Sequence, residues 1–362
     1  MTLMDVPNET EFSSRVNEFN AEGEARIYRS LRHFWHPIAY AEDLGDGPMQ
    51  ATLMGQQLAV VRLAGEVCVF DDLCAHRGSA LSIGTVLDGC ELQCPYHGWQ
   101  YNSAGEVTQA PQRPDLAGHL RASVRKYKSA ERYGLIWACL VDEPFYPLPD
   151  YPQYDDPDLH HIACRPLTDW DCSSPRRVEN YTDYSHFAIL HDKYLGDATQ
   201  PEVPGHDVWR EENRLENLQD KKTLVRVPVD SAAWGGKDLP EDPYIYFSID
   251  WRVFMPLTCM LNIVFADGNK YNLLFHPTPL GPRKIRNFTI AGRDFGDPEK
   301  ADQELGEFVH FIYEQDRPVV ESQRPEELPE DLSEEMHLKG VDKYSIEYRR
   351  WLFELAEKLG DS

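Results

Sequence analysis

Two histidines and a carboxylate in one short stretch of the chain have the residue types of a metal site. The stretch 179–191 contains Asn180, Asp183, His186 and His191 among large apolar side chains. Two imidazoles and one carboxylate form the ligand set that holds a ferrous ion and leaves positions open for oxygen. Two histidines on an ordinary surface helix are the alternative, so this stretch alone does not decide between them.

A second group of metal-ligand residues lies upstream of this stretch. Cys74-Ala75-His76 and Cys94-Pro95-Tyr96-His97 are separated by seventeen residues. Two loops that each supply two N or S donors can build a structural zinc site. They can equally hold a two-iron cluster in which two histidines replace two cysteines on one iron. Zinc sites of this composition usually group like residues together, whereas each loop here has one of each, which favours iron.

The two loops resemble the two halves of the Rieske signature. The sequences that carry the resemblance are Cys-Ala-His-Arg-Gly and Cys-Pro-Tyr-His-Gly-Trp. The resemblance implies that Cys74 and Cys94 bind one iron of a two-iron two-sulfur cluster, and that His76 and His97 bind the other. Cys90 lies near the second loop, but the set of four ligands is complete without it.

A Rieske module followed by Asp-x-x-His-x-x-x-x-His resembles the oxygenase (alpha) component of Rieske non-heme iron oxygenases. In that family two histidines, matched by His186 and His191, bind a mononuclear Fe(II) together with an aspartate on a distant helix. Asp316 matches this aspartate. The neighbouring Glu314 and Glu321 are expected to lie on the solvated face of the helix.

The resemblance gives Asp183 a role other than metal binding. The matching aspartate of the family bridges an iron-binding histidine to a cluster-binding histidine of the neighbouring subunit, which here implies His186 and His97 of another chain. A ring-shaped oligomer, commonly a homotrimer, is implied as well. Asn180 matches an asparagine near the iron, although its amide could equally satisfy backbone groups.

The implied reaction is the oxidation of a small aromatic or alicyclic substrate by O2. The short chain and the segment 133–137 resemble the single-subunit type, which includes vanillate and dicamba demethylases and saxitoxin-type hydroxylases. We expect monooxygenation, meaning hydroxylation or oxidative demethylation. The alternatives are a dioxygenase that cis-dihydroxylates an aromatic ring, and a non-catalytic Rieske electron carrier or a zinc-stabilised binding protein.

Electrons must come from another protein. The sequence has no dinucleotide-binding fingerprint and no further cysteine cluster of the plant-type ferredoxin kind. We therefore expect NAD(P)H to act indirectly, through a separate reductase with or without a ferredoxin.

Charge and composition exclude several classes of partner. The chain has 36 basic and 61 acidic residues, a net charge of −25, which argues against binding to nucleic acid or an anionic membrane. It contains no apolar run long enough to span a bilayer and no secretory signal near Met1, so a cytoplasmic protein is expected. Eight cysteines in 362 residues do not form a disulfide scaffold.

The elements that position these residues predict an α+β protein. We expect an N-terminal helical arm (1–30), an all-β Rieske domain (31–145) and a catalytic domain (146–362), for which the resemblance implies a helix-grip fold with an antiparallel sheet and long helices. Short strands are predicted at 51–54, 58–62, 67–70 and 133–140, and longer ones at 244–254, 258–266, 271–276 and 286–291. The proline-rich passage 142–170 predicts a linker without helix or central strand.

Helix signals predict the local structure of the mononuclear site. Ser173-Ser174-Pro175 predicts a helix start, and that helix is expected to end near Gly196. Residues five apart on a regular helix point about 140° away from each other, so a bulge or local unwinding is expected between His186 and His191. Helices are also predicted at 299–323, loosened near Asp316 by Pro318, and at 344–359. Residues 197–243 are expected to form either a mobile flap over a pocket or a plain surface segment. The substrate cavity beside the metal is expected to be lined by Phe187, Leu190, Phe247, Trp251, Met255 and Phe275.

Overall fold

The computed structural model describes residues 25–203, 205–218, 225–228 and 244–360. Most of the expected N-terminal arm lies outside the described residues, and of that arm residues 25–30 are helical. The expected flap lies partly outside them, and its described part contributes strands to the larger sheet. No helix among the described residues is long and apolar enough to cross a lipid bilayer.

The first domain consists of ten strands in two antiparallel sheets. One sheet has six strands in the order β1-β10-β9-β4-β3-β2, and the other has the order β5-β6-β7-β8. The strands are β1 His36–Tyr40, β2 Met49–Leu53, β3 Gln56–Leu63, β4 Glu66–Asp71, β5 Thr85–Leu87, β6 Glu91–Gln93, β7 Gln100–Tyr101, β8 Val107–Gln109, β9 Lys126–Arg132 and β10 Leu135–Cys139.

Tight turns explain why these strands are so short. Four X-Gly pairs have a positive φ at both residues, which is the backbone of a type I′ hairpin turn. Such turns match the twist of the adjoining strands, so they fold each strand directly back onto its neighbour. The four pairs are Met54-Gly55, Ala64-Gly65, Asp88-Gly89 and Tyr133-Gly134.

The second domain is organised around a nine-stranded antiparallel sheet. With the helices described below, the two domains make an α+β protein, as expected. The main path is β11-β19-β18-β17-β16-β14-β13, with β12 paired to β19 and β15 paired to β16. The strands are β11 His160–Ala163, β12 Thr168–Trp170, β13 Asp207–Glu211, β14 Arg214–Leu218, β15 Val225–Pro228, β16 Tyr244–Phe254, β17 Thr258–Phe265, β18 Lys270–Gly281 and β19 Lys284–Arg293.

The proline-rich passage differs from the expectation. Its second half contains β11 and β12, which both pair antiparallel with β19. Prolines are tolerated there because Pro166 falls between the two short strands, at the edge of the sheet, where no ladder hydrogen bond is lost. The prediction of a linker was therefore wrong for this half, where the chain forms two edge strands rather than the helix or central strand that the prolines exclude.

The two faces of the larger sheet have different partners, because side chains alternate along a strand. Val253 belongs to the core between the sheet and the helices, whereas Phe254 packs in a cluster with Tyr40 and Trp137 of the first domain. Each large apolar side chain that is fully buried at this junction contributes about 1.5–3 kcal/mol. The sheet therefore joins the first domain on one face and carries the helices on the other.

The described residues of the second domain form four α-helices: α1 Ser174–Thr182, α2 Phe187–Leu190, α3 Pro298–Ser322 and α4 Lys343–Leu359. The predicted start of α1 is confirmed, because Ser173 caps it by accepting a hydrogen bond from the Arg176 N–H. The predicted end near Gly196 was wrong, because the chain leaves the helix at Asp183 in an extended conformation. Helix α3 continues past Pro318 without a break.

Candidate metal centres

The two cysteine–histidine loops of the first domain have the same local geometry. In each loop the glycine four residues after the cysteine donates its N–H to the cysteine carbonyl, from Gly78 to Cys74 at 2.8 Å and from Gly98 to Cys94 at 3.1 Å. These glycines have φ of +68° and +71°, a left-handed conformation that glycine adopts without steric cost. The repeated turn makes the two loops equivalent supports for their side chains.

The four candidate ligands meet between the loops. The ring centroids of His76 and His97 lie 4.6 Å apart, and both cysteines are buried free thiols. Burial, together with the neighbouring Cys74 thiol, raises the pKa of Cys94. Metal binding requires the thiolate, so this pair of thiols fits a site whose positive charge is supplied by metal ions.

The spacing of these donors fits two ions better than one. Around a single tetrahedral zinc, bond lengths of about 2.0–2.3 Å place the donors roughly 3.3–3.8 Å from one another. Among the described residues, the group whose three donor atoms all lie within 4.8 Å of one another is His186, His191 and Asp316, and the loop ligands do not form such a group. The two loops therefore fit a two-iron cluster, with one pair of ligands for each iron.

A tyrosine supports one of the cluster ligands. The Tyr101 hydroxyl accepts the Ala75 N–H at 3.0 Å, and its own O–H lies 3.0 Å from the Cys74 sulfur. When Cys74 binds a metal it is a thiolate without a proton, so the hydroxyl is then the donor in this pair. Hydrogen bonds to ligand sulfurs help to set the reduction potential of an iron–sulfur cluster. The two sequence motifs did not indicate this contact.

The second site brings together the three residues that the resemblance selects. Oδ1 of Asp316 lies 3.0 Å from His191 Nε2 and 3.6 Å from His186 Nε2. Asp316 and His191 are buried, and His186 is partly exposed. Two imidazoles and one carboxylate on one face leave the remaining positions of an iron ion open. The residues thus fit a mononuclear Fe(II).

The helix that carries the two histidines is interrupted, but not where it was expected to be. The helical backbone of α1 ends at Asp183, and the single turn of α2 begins after His186 and ends before His191. The ring centroids of His186 and His191 lie 5.1 Å apart, at the two ends of this turn. The unwinding expected between the two histidines was therefore wrong in position, because the break precedes His186.

The Nδ1 atom of each histidine has its own partner. His186 Nδ1 lies 3.2 Å from Asp183 Oδ2, and His191 Nδ1 lies 2.9 Å from Gln315 Oε1. An oxygen acceptor at Nδ1 keeps the proton there and leaves Nε2 free to bind a metal. Gln315 was missed in the sequence, because only the fold brings it to His191.

Asp183 is held in place on its other side as well. Its Oδ1 accepts the Ser185 N–H at 2.7 Å and also the Ser185 hydroxyl. Burial acts to raise the pKa of Asp183, but the hydrogen bonds from His186 and Ser185 outweigh it and lower that pKa. Asp183 is therefore an oriented, ionised carboxylate beside the site.

Two residues of α1 contact Asp316. Asn180 Nδ2 donates to Asp316 Oδ1 at 3.4 Å, and Arg177 Nη1 donates to Oδ2 at 3.1 Å. Burial acts to raise the pKa of Asp316, but the His191 hydrogen bond and the Arg177 charge outweigh it and lower that pKa to about 2. Arg177 was another residue that the sequence did not indicate.

The competing carboxylates lie away from the site. Glu314 is exposed and lies 3.7 Å from Arg317. Glu321 accepts the Asp171 N–H at 2.9 Å and the Arg317 side chain at 3.1 Å. Neither contacts the histidines through these interactions, which agrees with the expectation.

The residues expected to line the substrate cavity do not all lie beside the candidate iron site. Phe187 lies 4.7 Å from the His186 ring and 5.8 Å from the Trp251 ring, so these aromatic side chains form one wall beside the site. The centroid of the Phe275 ring lies 3.5 Å from that of Tyr181, with the two rings tilted by 36°. Met255 instead lines a small cavity at the junction with the first domain.

Two family models together match most of the chain. Residues 34–128 match the Rieske [2Fe-2S] domain, and residues 170–358 match the vanillate O-demethylase oxygenase C-terminal domain. The chain belongs to the Rieske non-heme iron oxygenases. It is accordingly an enzyme that uses O2 and externally supplied electrons to hydroxylate or oxidatively demethylate a small organic substrate, with a Rieske cluster and a mononuclear iron as cofactors.

Known relatives of this Rieske oxygenase align with it over almost the whole length of the chain. It is 34% identical over 336 residues to the methylxanthine N1-demethylase NdmA of Pseudomonas putida, covering 90% of each chain. It is 32% identical over 339 residues to the N3-demethylase NdmB of the same organism, again covering 90% of each. The structure of NdmA with caffeine superposes with a TM-score of 0.79 at 32% identity, covering 92% of this chain and 93% of NdmA.

A more distant structure shares the fold. Dicamba monooxygenase bound to dicamba superposes with a TM-score of 0.73 at 23% identity, covering 92% of this chain and 99% of that one. The electron-carrier and zinc-protein alternatives lose their support, because the oxygenase domain matches along its length and retains the three-residue group.

Proposed function

We propose that this oxygenase removes a methyl group from nitrogen in a polar heteroaromatic substrate. Three kinds of relative act on nitrogen-containing compounds by name: the two methylxanthine demethylases, aminopyrrolnitrin oxygenase at 28% identity over 68% of this chain, and a chloroacetanilide N-alkylformylase at 27% over 89%. The single observation that carries the proposal, however, is a group of unpaired polar side chains near the candidate iron site.

These polar groups lie beside the aromatic wall. Asn217 stands directly opposite Trp251 in the β14–β16 pair, which places both side chains on the face that packs against the helices. Tyr184 meets Trp251 edge-on at 5.1 Å. The Trp251 ring is the one that packs against Phe187, next to His186. Polar and aromatic groups therefore adjoin the candidate iron ligands.

Among the described residues, none of the three polar side chains has a hydrogen-bond partner for the atoms named here. Asn217 is 0% exposed, and its amide oxygen and nitrogen, Trp251 Nε1 and the Tyr184 hydroxyl are all buried and unpaired. A buried polar group left unpaired costs about 1–3 kcal/mol, so such groups usually have a water or ligand partner. A flat ring with carbonyl and ring-nitrogen atoms offers both donors and acceptors to this set.

The metal ligands have distinct parts in this proposal. Cys74, His76, Cys94 and His97 hold the Rieske cluster, and the mononuclear iron is held by His186, His191 and Asp316. When bound, the cluster delivers electrons and the iron provides the place where O2 is activated. Phe187 and Trp251 exclude water around the substrate methyl group, and Asp183 holds the Nδ1 proton of His186.

The overall reaction balances as a monooxygenation. The methyl C–H bond becomes C–OH with one atom of O2, and the other atom leaves as water after two electrons and two protons are added. The resulting N–CH2OH group then breaks its C–N bond to give N–H and formaldehyde.

We infer a homotrimer in which the cluster loops of one chain face Asp183 of the next. Leu73, Ile83 and Tyr96 beside these loops are 55%, 70% and 63% exposed. Ile189, between the two iron-binding histidines, is 65% exposed. Apolar groups exposed around both centres support contact with a second copy, since exposed apolar patches mark interaction sites.

The proposed electron source is NAD(P)H, through a separate reductase with or without a ferredoxin. This is supported by relatives named as oxygenase components or subunits, such as the chloroacetanilide N-alkylformylase. The eight free cysteines support a cytoplasmic location, where thiols remain reduced.

The proposal is tested by reductase-dependent O2 uptake with a substrate panel and product mass spectrometry. The panel compares N-methylated heteroaromatics, O-methylated aromatics and methyl-free aromatics. We expect turnover of the N-methyl compounds, with loss of one CH2 unit and release of formaldehyde. Products that gain two oxygens and two hydrogens would instead identify a ring dihydroxylating dioxygenase, and turnover confined to O-methyl compounds would contradict the proposed substrate class.

A further inference from the structure

A completely buried arginine contacts the carboxylate of the candidate iron site. Arg177 is 0% exposed, and its Nη1 lies 3.1 Å from Asp316 Oδ2. Three aromatic rings surround its guanidinium: those of Trp170 at 4.1 Å, Tyr181 at 3.9 Å and Tyr313 at 4.7 Å. A cation is therefore enclosed directly behind the metal-binding group.

This arrangement is costly for folding alone. Removing a guanidinium from water requires compensation by an ion pair, hydrogen bonds or aromatic faces. In the part of the chain that the structure describes, the Nε and Nη2 atoms of Arg177 have no hydrogen-bond partner. The aromatic cage and the Asn180 amide oxygen provide part of the compensation, and Asp316 is the carboxylate that pairs with the charge. Because the buried charge lies next to Asp316, we expect it to affect how that carboxylate binds a metal ion.

The two carboxylate oxygens of Asp316 have different partners. Oδ2 accepts from Arg177, whereas Oδ1 is the atom near the Nε2 atoms of both histidines, His191 at 3.0 Å and His186 at 3.6 Å. Asn180 reinforces the division, since it accepts a hydrogen bond from Arg177 Nη1 and donates to Oδ1 at 3.4 Å. One oxygen is presented to the metal site, and the other is held by a cation.

We propose that Arg177 is a positioning residue that makes Asp316 bind iron through Oδ1 alone and that favours Fe(II) over Fe(III). A single-oxygen carboxylate leaves one more position free for oxygen or substrate. A buried positive charge is felt strongly in a medium of low dielectric constant, and it opposes the extra charge of the ferric ion. The proposal rests on the ligand roles of His186, His191 and Asp316 under the proposed function.

The test compares neutral and charged replacements in the iron-loaded holoenzyme. R177Q keeps an N–H donor but removes the charge, and R177K keeps the charge. Potentiometric titration, followed by the EPR signal of the ferric mononuclear iron, measures the midpoint potential of that iron. R177Q should favour Fe(III) by about tenfold, a shift of about −59 mV for a one-electron couple, whereas R177K should remain near the wild-type value. The potential of the Rieske cluster should not change in either variant.

The neighbouring arginine provides a matched control. Arg176 is also buried on α1, but it pairs with Glu179 and Glu335 and donates to the Pro325 carbonyl. R176M should lower the melting temperature without shifting the iron potential. If R177Q does not fold, R177M is the second neutral variant, and X-ray absorption should show in it the added Asp316 oxygen at the iron.

Two results would overturn the inference: a wild-type iron potential in the neutral variants, or the same shift in R176M as in R177Q. A failure of the ligand assignment on which the proposed function rests would be seen in a different experiment. Loss of iron from H191A tests the ligand assignment independently of Arg177. If H191A retains its mononuclear iron, the ligand assignment itself is wrong.

Discussion

His191 and Gln315 are joined by a hydrogen bond in which the ring Nδ1–H donates to the amide oxygen over 2.9 Å. These residues are 124 positions apart in the chain, and Gln315 immediately precedes Asp316. One turn of α3 thus supplies both a metal-binding carboxylate and the group that orients one of the histidines.

Replacement of Gln315 by leucine should weaken metal binding. Q315L removes the acceptor that keeps the proton on Nδ1, so His191 can turn or change tautomer. Loss of such an outer partner typically costs 10–100-fold in metal affinity or activity, and competition with a chelator would measure it. Gln303 is the control, because on the same helix it bonds only Glu307, at 2.8 Å. Iron affinity that is equal in Q315L and Q303L would contradict this role.

Replacement of Asp183 by asparagine should slow electron transfer without removing iron. D183N keeps the shape of the side chain but loses the charge that orients His186 and faces the proposed neighbouring chain. We expect the mononuclear iron of the reduced enzyme to reoxidise normally but to be re-reduced by the cluster about 10–100-fold more slowly. Stopped-flow absorbance of the Rieske cluster measures this rate. The control is D192N, since Asp192 bonds the Ala198 N–H at 2.9 Å. Wild-type transfer in D183N would exclude the bridging role.

Replacement of Asn217 by leucine should weaken substrate binding while preserving or raising stability. The amide is buried and unpaired, so an apolar group of similar size removes an unsatisfied donor and acceptor at little cost. We expect KM for an N-methyl heteroaromatic to rise about tenfold or more, with a melting temperature no lower than wild type. N262L is the control, because Asn262 pairs with Asp250 on the opposite face of the sheet. An unchanged KM in N217L would remove Asn217 from the substrate site.

A buried histidine pair at the domain junction should make stability fall at acidic pH. His36 Nδ1 lies 3.1 Å from His276 Nε2, and His36 Nε2 donates to the Leu31 carbonyl at 2.8 Å. Burial lowers the pKa of His36 to about 4 despite that backbone bond. Burial and the adjacent His36 also lower the pKa of His276 well below its ordinary value.

The sign of the effect follows from proton linkage. The unfolded histidines titrate near pH 6.5, so below this pH the unfolded chain binds protons that the folded protein excludes. The contribution of the neutral pair to stability is complete above about pH 6.5 and is lost as the pH falls towards 4, by up to about 1.4 kcal/mol per pH unit for each histidine. Urea unfolding at pH 7.5 and 5.5 would show it. H36Q should reduce the pH dependence, and an unchanged difference in H36Q would refute this origin.

Local patterns in the sequence were sufficient to predict much of the fold. Strand β16 was predicted with the bounds it has, and the Asp267–Asn269 turn joins β17 to β18 with Gly268 at a φ of +88°. Alternation and turn residues act over a few positions, which is why these elements can be derived from the sequence. The edge strands β11 and β12 were missed, because their pairing with β19 depends on a partner more than a hundred residues away.

In the candidate site, too, some residues could be predicted from the sequence and others depend on the tertiary fold. The residue types and spacing of the two cysteine–histidine loops indicated the first metal centre, and the resemblance to the Rieske oxygenases selected the ligands of the second. The residues that support them depend on the tertiary fold. Arg177 and Asp316 are 139 positions apart, and His36 and His276 are 240 apart. No local pattern in the sequence announces such contacts.

A single-turnover reaction tests the central claim, N-demethylation at the iron held by His186, His191 and Asp316, without requiring the natural reductase. The iron-loaded enzyme is reduced chemically, freed of reductant, and exposed to O2 with an N-methylated heteroaromatic. We predict one demethylated product and one formaldehyde for each mononuclear iron, and no product from D316A that retains its Rieske cluster. A dihydroxylated ring, or equal product from D316A, would contradict the account.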